Sequence, residues 1–236
     1  MRTPNAAEPS LFLTPSRRPG ALAIWAVIAV LIVIVFGEFI VRTTGVSSWD
    51  STVSHSLNLL HTGVVGLLAT AMYTVFEPPF AIAITVIIAA LIWALTRNFR
   101  LGISFGAVVA ITWLPVVVVK TLVHRPRPNP LELAHPFAVQ PDASYPSGHV
   151  AFVTALVVVL ILLSRGHRAY KWIVVLGPLL VILLALALAI DGVHFPTDVI
   201  ASTVWSAGLA PFVLFLWARF VVPLTQRSQR AGKEIA

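Results

Sequence analysis

Long apolar runs separated by short polar breaks dominate the chain. The first, residues 21–41, is long enough to cross a bilayer, which takes about 20 apolar residues. No evident cleavage site follows it, so it reads as a retained anchor and not a secretory signal. Further runs of spanning character fall at about 78–96, 101–121, 148–164, 172–190 and 199–222. Pro115, Pro178 and Pro211 lie within these runs, where neighbouring helices can absorb a kink. Residues 49–76 differ, because Asp50, His55, Asn58 and His61 interrupt them; that segment is expected at the interface or only partly inserted. The pattern predicts an all-α protein, an integral membrane six-transmembrane-helix bundle. It forms a single domain over residues 21–224, with no internal repeat. Residues 1–20 are polar, contain Pro4, Pro9, Pro15 and Pro19, and are expected to form a disordered cytoplasmic tail. Residues 225–236 read as a second cytoplasmic tail.

Composition agrees with the pattern. Hydrophobic residues make up 58% of the 236 and charged residues 11%, against about 25% charged in soluble domains. The net charge of +7 is first a matter of topology. If the amino terminus is inside, every Lys and Arg falls on the inner side except Arg42, Lys120, Arg125 and Arg127. The expectation is a multi-pass protein of the cell membrane with both termini cytoplasmic, and nothing points to nucleic acid. The chain has no cysteine, which removes disulfides and thiolate metal sites from consideration. Topology does not explain why three of the four outer cations are crowded together.

That crowd is the first of three chemical groups. Lys120, Arg125 and Arg127 lie in VVVVKTLVHRPRP, with little acid near them in sequence. Like charges cluster at a cost unless an anion sits among them, and the planar fork of arginine suits phosphate. A proline-rich loop over residues 129–144 follows; Glu132 and His135 within it have no clear role. The second group is YPSGHV, residues 145–150. Ser147 is a good N-cap, Gly148 lets the backbone come close to a ligand, and His149 falls in the first helical turn. Free amides and the positive helix end make such a place an anion site. The third group is DGVHFPTDV, residues 191–199. If the sixth span begins near Pro196 or Thr197, Asp198 can reach back to His194, fix its tautomer and make the other nitrogen a better nucleophile. In the six-span topology all three groups emerge on one face of the bilayer.

Lys-x6-Arg-Pro, then Pro-Ser-Gly-His, then His-x3-Asp resembles the type 2 phosphatidic acid phosphatase superfamily, over residues from about 75 to 224. The resemblance implies a phosphohydrolase that needs no metal and no cofactor and works through a phosphohistidine. His194 would be the nucleophile, Asp198 its orienter and His149 the general acid. Lys120, Arg127, Ser147 and the Gly148 amide would hold the phosphate oxygens. One departure stands out. The family's third motif usually begins Ser-Arg, and those positions are Ala187 and Leu188 here. Arg125 is the expected substitute for the absent phosphate-binding arginine, with His124 another nearby donor and Asp191 a possible partner for one of these cations.

The expected function is hydrolysis of a lipid phosphate or lipid diphosphate, of isoprenoid diphosphate or phosphatidate type, at the extracytoplasmic membrane face. The expected partners are that lipid substrate and membrane lipids. A lipid phosphotransferase, or a catalytically weakened protein that binds or transports lipid phosphates, are the alternatives. A metal hydrolase fits less well, because no helix face carries clustered carboxylates and histidines.

Overall fold

The computed structural model describes residues 18–137 and 140–224. The tail expected over residues 1–20 lies almost wholly outside the described residues, as does the tail over 225–236.

Nine α-helices carry the described fold: α1 (Pro19–Arg42), α2 (Thr44–Asn58), α3 (Gly63–Val75), α4 (Pro78–Thr96), α5 (Phe99–Trp113), α6 (Val116–Val123), α7 (Gly148–Leu163), α8 (Tyr170–Ile190) and α9 (Pro196–Leu216). Prolines open α1, α4 and α9, where the first-turn N–H groups have no intrahelical partner to lose. Arg97, in the left-handed region at φ 55°, ends α4, and the Asn98 side chain then caps α5. This two-residue turn folds α4 and α5 into an antiparallel pair. α5 stops at Leu114 and Pro115 and resumes as α6, and together they form one apolar stretch, Phe99–Val123.

Five helical segments are long and apolar enough to cross a membrane: α1, α4, α5 with α6, α8, and α9 with its continuation to Leu224. α7, at 16 residues, is shorter than these five but as apolar, and it runs through the middle of the bundle against α5, α8 and α9. It is apolar all round and buried on nearly every side, as expected for a helix ringed by other helices. Phe105 of α5, Phe152 of α7 and Leu184 and Leu188 of α8 are fully buried in the core around it. A second apolar cluster joins Val33 and Ile40 of α1, Val119 of α6, Tyr145 and Trp205 of α9.

The segment over residues 49–76 forms a bent pair. α2 and α3 meet at 120°, and both lie at the end of the bundle that carries the loops. α2 inverts the usual amphipathic arrangement. Its buried positions are Asp50, Ser54 and Asn58, one polar stripe at helical spacing, while Trp49, Leu59 and Leu60 are exposed. The stripe is buried because it covers polar loops rather than apolar core. Asn58 donates to the His135 and Ile190 carbonyls and accepts from the His135 amide. Glu132, in the same loop, lies 3.6 Å from His55. The long loop is thus docked onto α2 through the Glu132 side chain and the His135 backbone.

Candidate active site

All three chemical groups meet at one end of the bundle. Ser147 caps α7 by accepting from the Val150 amide at 3.4 Å, which sets Gly148 and His149 in the first turn. The loop before it is tied down by Tyr145, whose hydroxyl donates to the Val33 carbonyl of α1 at 2.6 Å. A Cβ at Gly37 would lie 2.5 Å from the Tyr145 ring, so α1 approaches this loop closely only because glycine stands there.

His194 sits in the short connection between α8 and α9 and is fully buried. Its Nδ1 is 3.4 Å from Asp198 Oδ2, and its Nε2 is 3.3 Å from Arg127 Nη1. Arginine can only donate, so Nε2 is the acceptor and the proton sits on Nδ1, facing the carboxylate. α9 begins at Pro196, which makes Asp198 the third helical residue. Its Oδ2 also accepts from the Phe195 amide at 2.9 Å, and this holds the carboxylate beneath the imidazole. Burial, with the nearby charges of Arg127 and Lys120, holds the His194 pKa well below its ordinary value. The imidazole is therefore neutral at neutral pH, with a free-base Nε2.

Lys120 and Arg127 do not face each other unshielded. Asp142 lies between them, one carboxylate oxygen 2.7 Å from Lys120 Nζ and the other 2.6 Å from Arg127 Nη2. Lys120 also donates to the Ala143 carbonyl, and Arg127 to the Val193 carbonyl at 2.7 Å. Burial opposes ionisation of Asp142, but bonds from Lys120 and Arg127 outweigh it and bring its pKa down to about 2. The cations that stand without acid nearby in the sequence thus share one carboxylate from further along the chain, which offsets one of their two charges.

His149 packs against the Tyr73 ring of α3, with ring centroids 4.6 Å apart. Its Nε2 is buried and has no partner. Trp113 Nε1 donates to the Gly148 carbonyl and holds the start of α7 against α5.

The other expected residues lie elsewhere. Arg125, expected beside the phosphate in place of an arginine at position 188, is instead behind Asp198, its side chain 4% exposed. Leu188 is buried in the apolar core. Asp191 pairs with neither His124 nor Arg125; its Oδ1 is 3.1 Å from His61 Nε2 on the turn between α2 and α3. Asp50, Asp142 and Tyr73 escaped the sequence reading. Asp142 sits five residues before Ser147, and its position on the two cations arises from loop packing that no local pattern reveals. Among the described residues no three His, Asp or Glu side chains gather as a metal site needs.

A cavity of about 1150 Å³ opens over these groups. At one end Lys120, Arg127, His149 and His194 line it, and Gly148 presents open space where a side chain would stand. From there it continues as an apolar groove along α4 and α5, past Ile82, Val86 and Gly106 to Trp93 and Phe99.

The sequence model of the PAP2 superfamily matches residues 101–221, which is half of the chain and includes all three groups. The chain is a member of the PAP2 superfamily. Within the curated proteins it resembles an undecaprenyl-diphosphatase of Sulfolobus acidocaldarius, at 33% identity over 125 residues. That match covers 51% of this chain and 56% of the relative, so the chain aligns with little more than half the relative's length. Among solved structures it resembles a transmembrane PAP2-type phosphatidylglycerolphosphate phosphatase from Bacillus subtilis, with a TM-score of 0.65 at 20% identity over 86% of this chain and 95% of the other. The likeness extends the PAP2 fold beyond the family segment, to most of the bundle.

Proposed function

We propose that this PAP2 protein hydrolyses the terminal phosphate from a membrane lipid phosphate or lipid diphosphate through a phosphohistidine on His194. The observation that carries the reading is the single cavity in which the histidine and cation cluster opens onto an apolar groove. A lipid fits both parts at once, its head at the cations and its tail along α4 and α5. A soluble phosphate ester has no use for the groove. The names of the two relatives, one acting on an isoprenoid diphosphate and the other on a glycerolipid phosphate, support a lipid substrate of one of these classes.

The chemistry follows from the residues. Lys120, Arg127 and the Gly148 amide hold the phosphate oxygens, with Ser147 capping the turn that presents this amide, after Asp142 has yielded its place on the cations. His194 Nε2 attacks phosphorus, and Asp198 stabilises the positive charge that develops on the ring. The bond from phosphorus to the leaving oxygen breaks, and His149, protonated beside the bound anion, gives that oxygen its proton. Water then attacks the phosphohistidine and gives a proton to His149. Inorganic phosphate departs, and both imidazoles return to their starting forms. No metal-bound water enters this sequence. The concentration of Lys and Arg at the other end of the bundle supports an extracytoplasmic active site with cytoplasmic termini.

The test is phosphate release by purified protein in detergent from a panel of isoprenoid diphosphates and glycerolipid phosphates, with and without EDTA. Turnover that survives EDTA and disappears in His194→Ala is expected. Loss of turnover with EDTA and recovery with a divalent ion would favour a metal hydrolase. Tight binding without release would favour a binding or transport protein. For sidedness, Asn129→Cys should react with an impermeant thiol reagent in intact cells and Gly166→Cys should not.

A further inference from the structure

Arg125 is a third cation close to the reacting groups, but it does not reach the cavity. Neither it nor Asp50 lines that space, whereas Lys120, Arg127, His149 and His194 all do. Its guanidinium is enclosed among α2, the Phe195 ring and the start of α9. Nη1 donates to Asp198 Oδ1 at 2.7 Å and lies 2.8 Å from Thr197 Oγ1. Nη2 donates to Asp50 Oδ2 at 2.7 Å. The plane of the fork lies over Phe195, with Cζ 4.0 Å from the ring centroid. Asp50, fully buried on α2, accepts in turn from the Thr197 amide at 3.2 Å and from the Thr197 hydroxyl.

These contacts form a chain with a defined order: Asp50, Arg125, Asp198, His194. Every link is buried, so the charges interact with little screening by water. Two carboxylates share one guanidinium. Asp198 divides its own oxygens, Oδ1 on Arg125 and Oδ2 on the Phe195 amide and His194 Nδ1. The carboxylate cannot rotate away from the imidazole without losing a buried charge-assisted bond. Asp50 holds the second amino group of Arg125 and prevents the fork from closing on Asp198 with both arms. The same stretch is anchored from the other side, because the Arg125 carbonyl accepts from the Ser144 amide and the Pro126 carbonyl from the Ser144 hydroxyl. The arginine therefore ties the three chemical groups to one another and to α2.

We propose that Arg125 and Asp50 are positioning residues for the nucleophile: they fix the orientation of Asp198 and set how strongly its charge acts on His194. This rests on the reading of His194 as nucleophile. It assigns a function to α2, which brings the outermost member of the chain. It also explains why an arginine beside the phosphate-binding cations is withdrawn from phosphate.

The two residues act on His194 in opposite directions. The other charged or titratable groups around the imidazole are Arg127, Lys120, His149 and Asp142, and these stay unchanged. In Asp50→Asn the guanidinium is released wholly onto Asp198, which weakens the carboxylate as a partner for imidazolium. The acid limb of kcat/KM, where His194 becomes protonated, moves to lower pH. In the doubly substituted Asp50→Asn, Arg125→Gln chain the buried charge is balanced as before, but Asp198 has lost its cation. Imidazolium is favoured and the acid limb moves to higher pH.

The experiment uses the full-length protein in detergent, with a lipid diphosphate in mixed micelles and inorganic phosphate as inhibitor. Both variants should lose at least about tenfold in kcat, with KM and phosphate inhibition within about twofold of the parent. A second readout does not need turnover. Diethyl pyrocarbonate acylates neutral imidazole, and the pH midpoint of its reaction at His194, followed on the His194 peptide by mass spectrometry, should move down in the first variant and up in the second. Opposite shifts support the inference even if the parent hydrolyses no lipid offered, an outcome that would remove only the proposed function. Unchanged midpoints in both folded variants would overturn it, as would a weakened phosphate inhibition with kcat retained, which would return Arg125 to phosphate binding. Thermal unfolding of each variant establishes that it is folded. Should the double variant fail to fold, the downward shift in Asp50→Asn alone decides: its presence supports the chain and its absence sinks it.

Discussion

Asp142 holds one carboxylate oxygen 2.7 Å from Lys120 Nζ and thereby stands where a phosphate oxygen is proposed to bind. Its other oxygen occupies Arg127 in the same way. The substrate must displace this internal anion, which lowers apparent affinity by the fraction of time the cations are free. Asp142→Asn keeps the shape and removes the charge, and KM is expected to fall about threefold to tenfold with kcat little changed. Lys120 and Arg127 hold the Asp142 pKa at about 2 against the opposing effect of burial. The bonds therefore stabilise the fold above the ordinary carboxylate pKa of about 4 and are lost as pH falls towards 2. Between about pH 4 and 8 the difference in KM should stay constant. A rise in KM in the variant would mean that Asp142 orients the cations for substrate and does not compete with it.

Gly106 offers a way to shorten the groove. A Cβ there would meet Thr85 at 3.7 Å and Ala89 at 4.0 Å, both ordinary contacts, so a side chain fits if it projects into the groove. Leucine also has a better helix propensity than glycine. Gly106→Leu should raise KM for a long-chain lipid diphosphate about tenfold and leave a soluble aryl phosphate unaffected. Equal effects on the two substrates would remove the groove from substrate binding.

His149 has an unpartnered Nε2 at the cavity. If it is the general acid, its contribution scales with the need of the leaving oxygen for a proton. His149→Ala should reduce kcat by about 10²-fold or more on an alkyl phosphate and much less on an aryl phosphate, whose leaving group departs without help. A uniform loss across leaving groups would make His149 a phosphate-binding residue.

Asp191 predicts a stability effect with its own sign. Burial pushes its pKa up to about 7, opposed by a hydrogen bond from Thr70, and His61 faces the same oxygen. Folding therefore favours the protonated acid. The stabilisation is present below the ordinary carboxylate pKa of about 4 and is lost as pH rises through about 7. The thermal midpoint of the parent in detergent should fall between about pH 5 and pH 8. In Asp191→Asn, which mimics the protonated form, that fall should be smaller. Parallel curves for parent and variant would refute the assignment.

The spans were legible because each needs only a run of apolar residues, and the break near Pro115 was legible from the proline itself. The capped turn at Ser147 and the reach of Asp198 to His194 were legible because both are local, three and four residues apart. Asp142 and Asp50 were not. Each acts on residues far along the chain, and an acid in a loop or on an interfacial helix has no periodicity to say what it faces. Position 125 shows the same limit from the other side. Arg127, two residues on, suggested a shared ligand, yet Arg125 turns inward to Asp50 and Asp198 while Arg127 reaches Asp142, a difference set by distant partners and not by spacing along the chain.

The contact of α1 with α9 bears on how the molecule is built. A Cβ at Gly208 would lie 2.3 Å from that of Ala29, so the two helices meet at a point where only a glycine fits. α1 is the first of the described helices along the chain and α9 the last, and α1 packs against α9 more extensively than against any other helix. The loop bearing His149 leans on α1 through Tyr145, and Asp198 is carried by α9. The proposed reactive centre is therefore complete only when α9 closes against α1. A chain that stops before α9 lacks Asp198 and leaves that face of α1 uncovered.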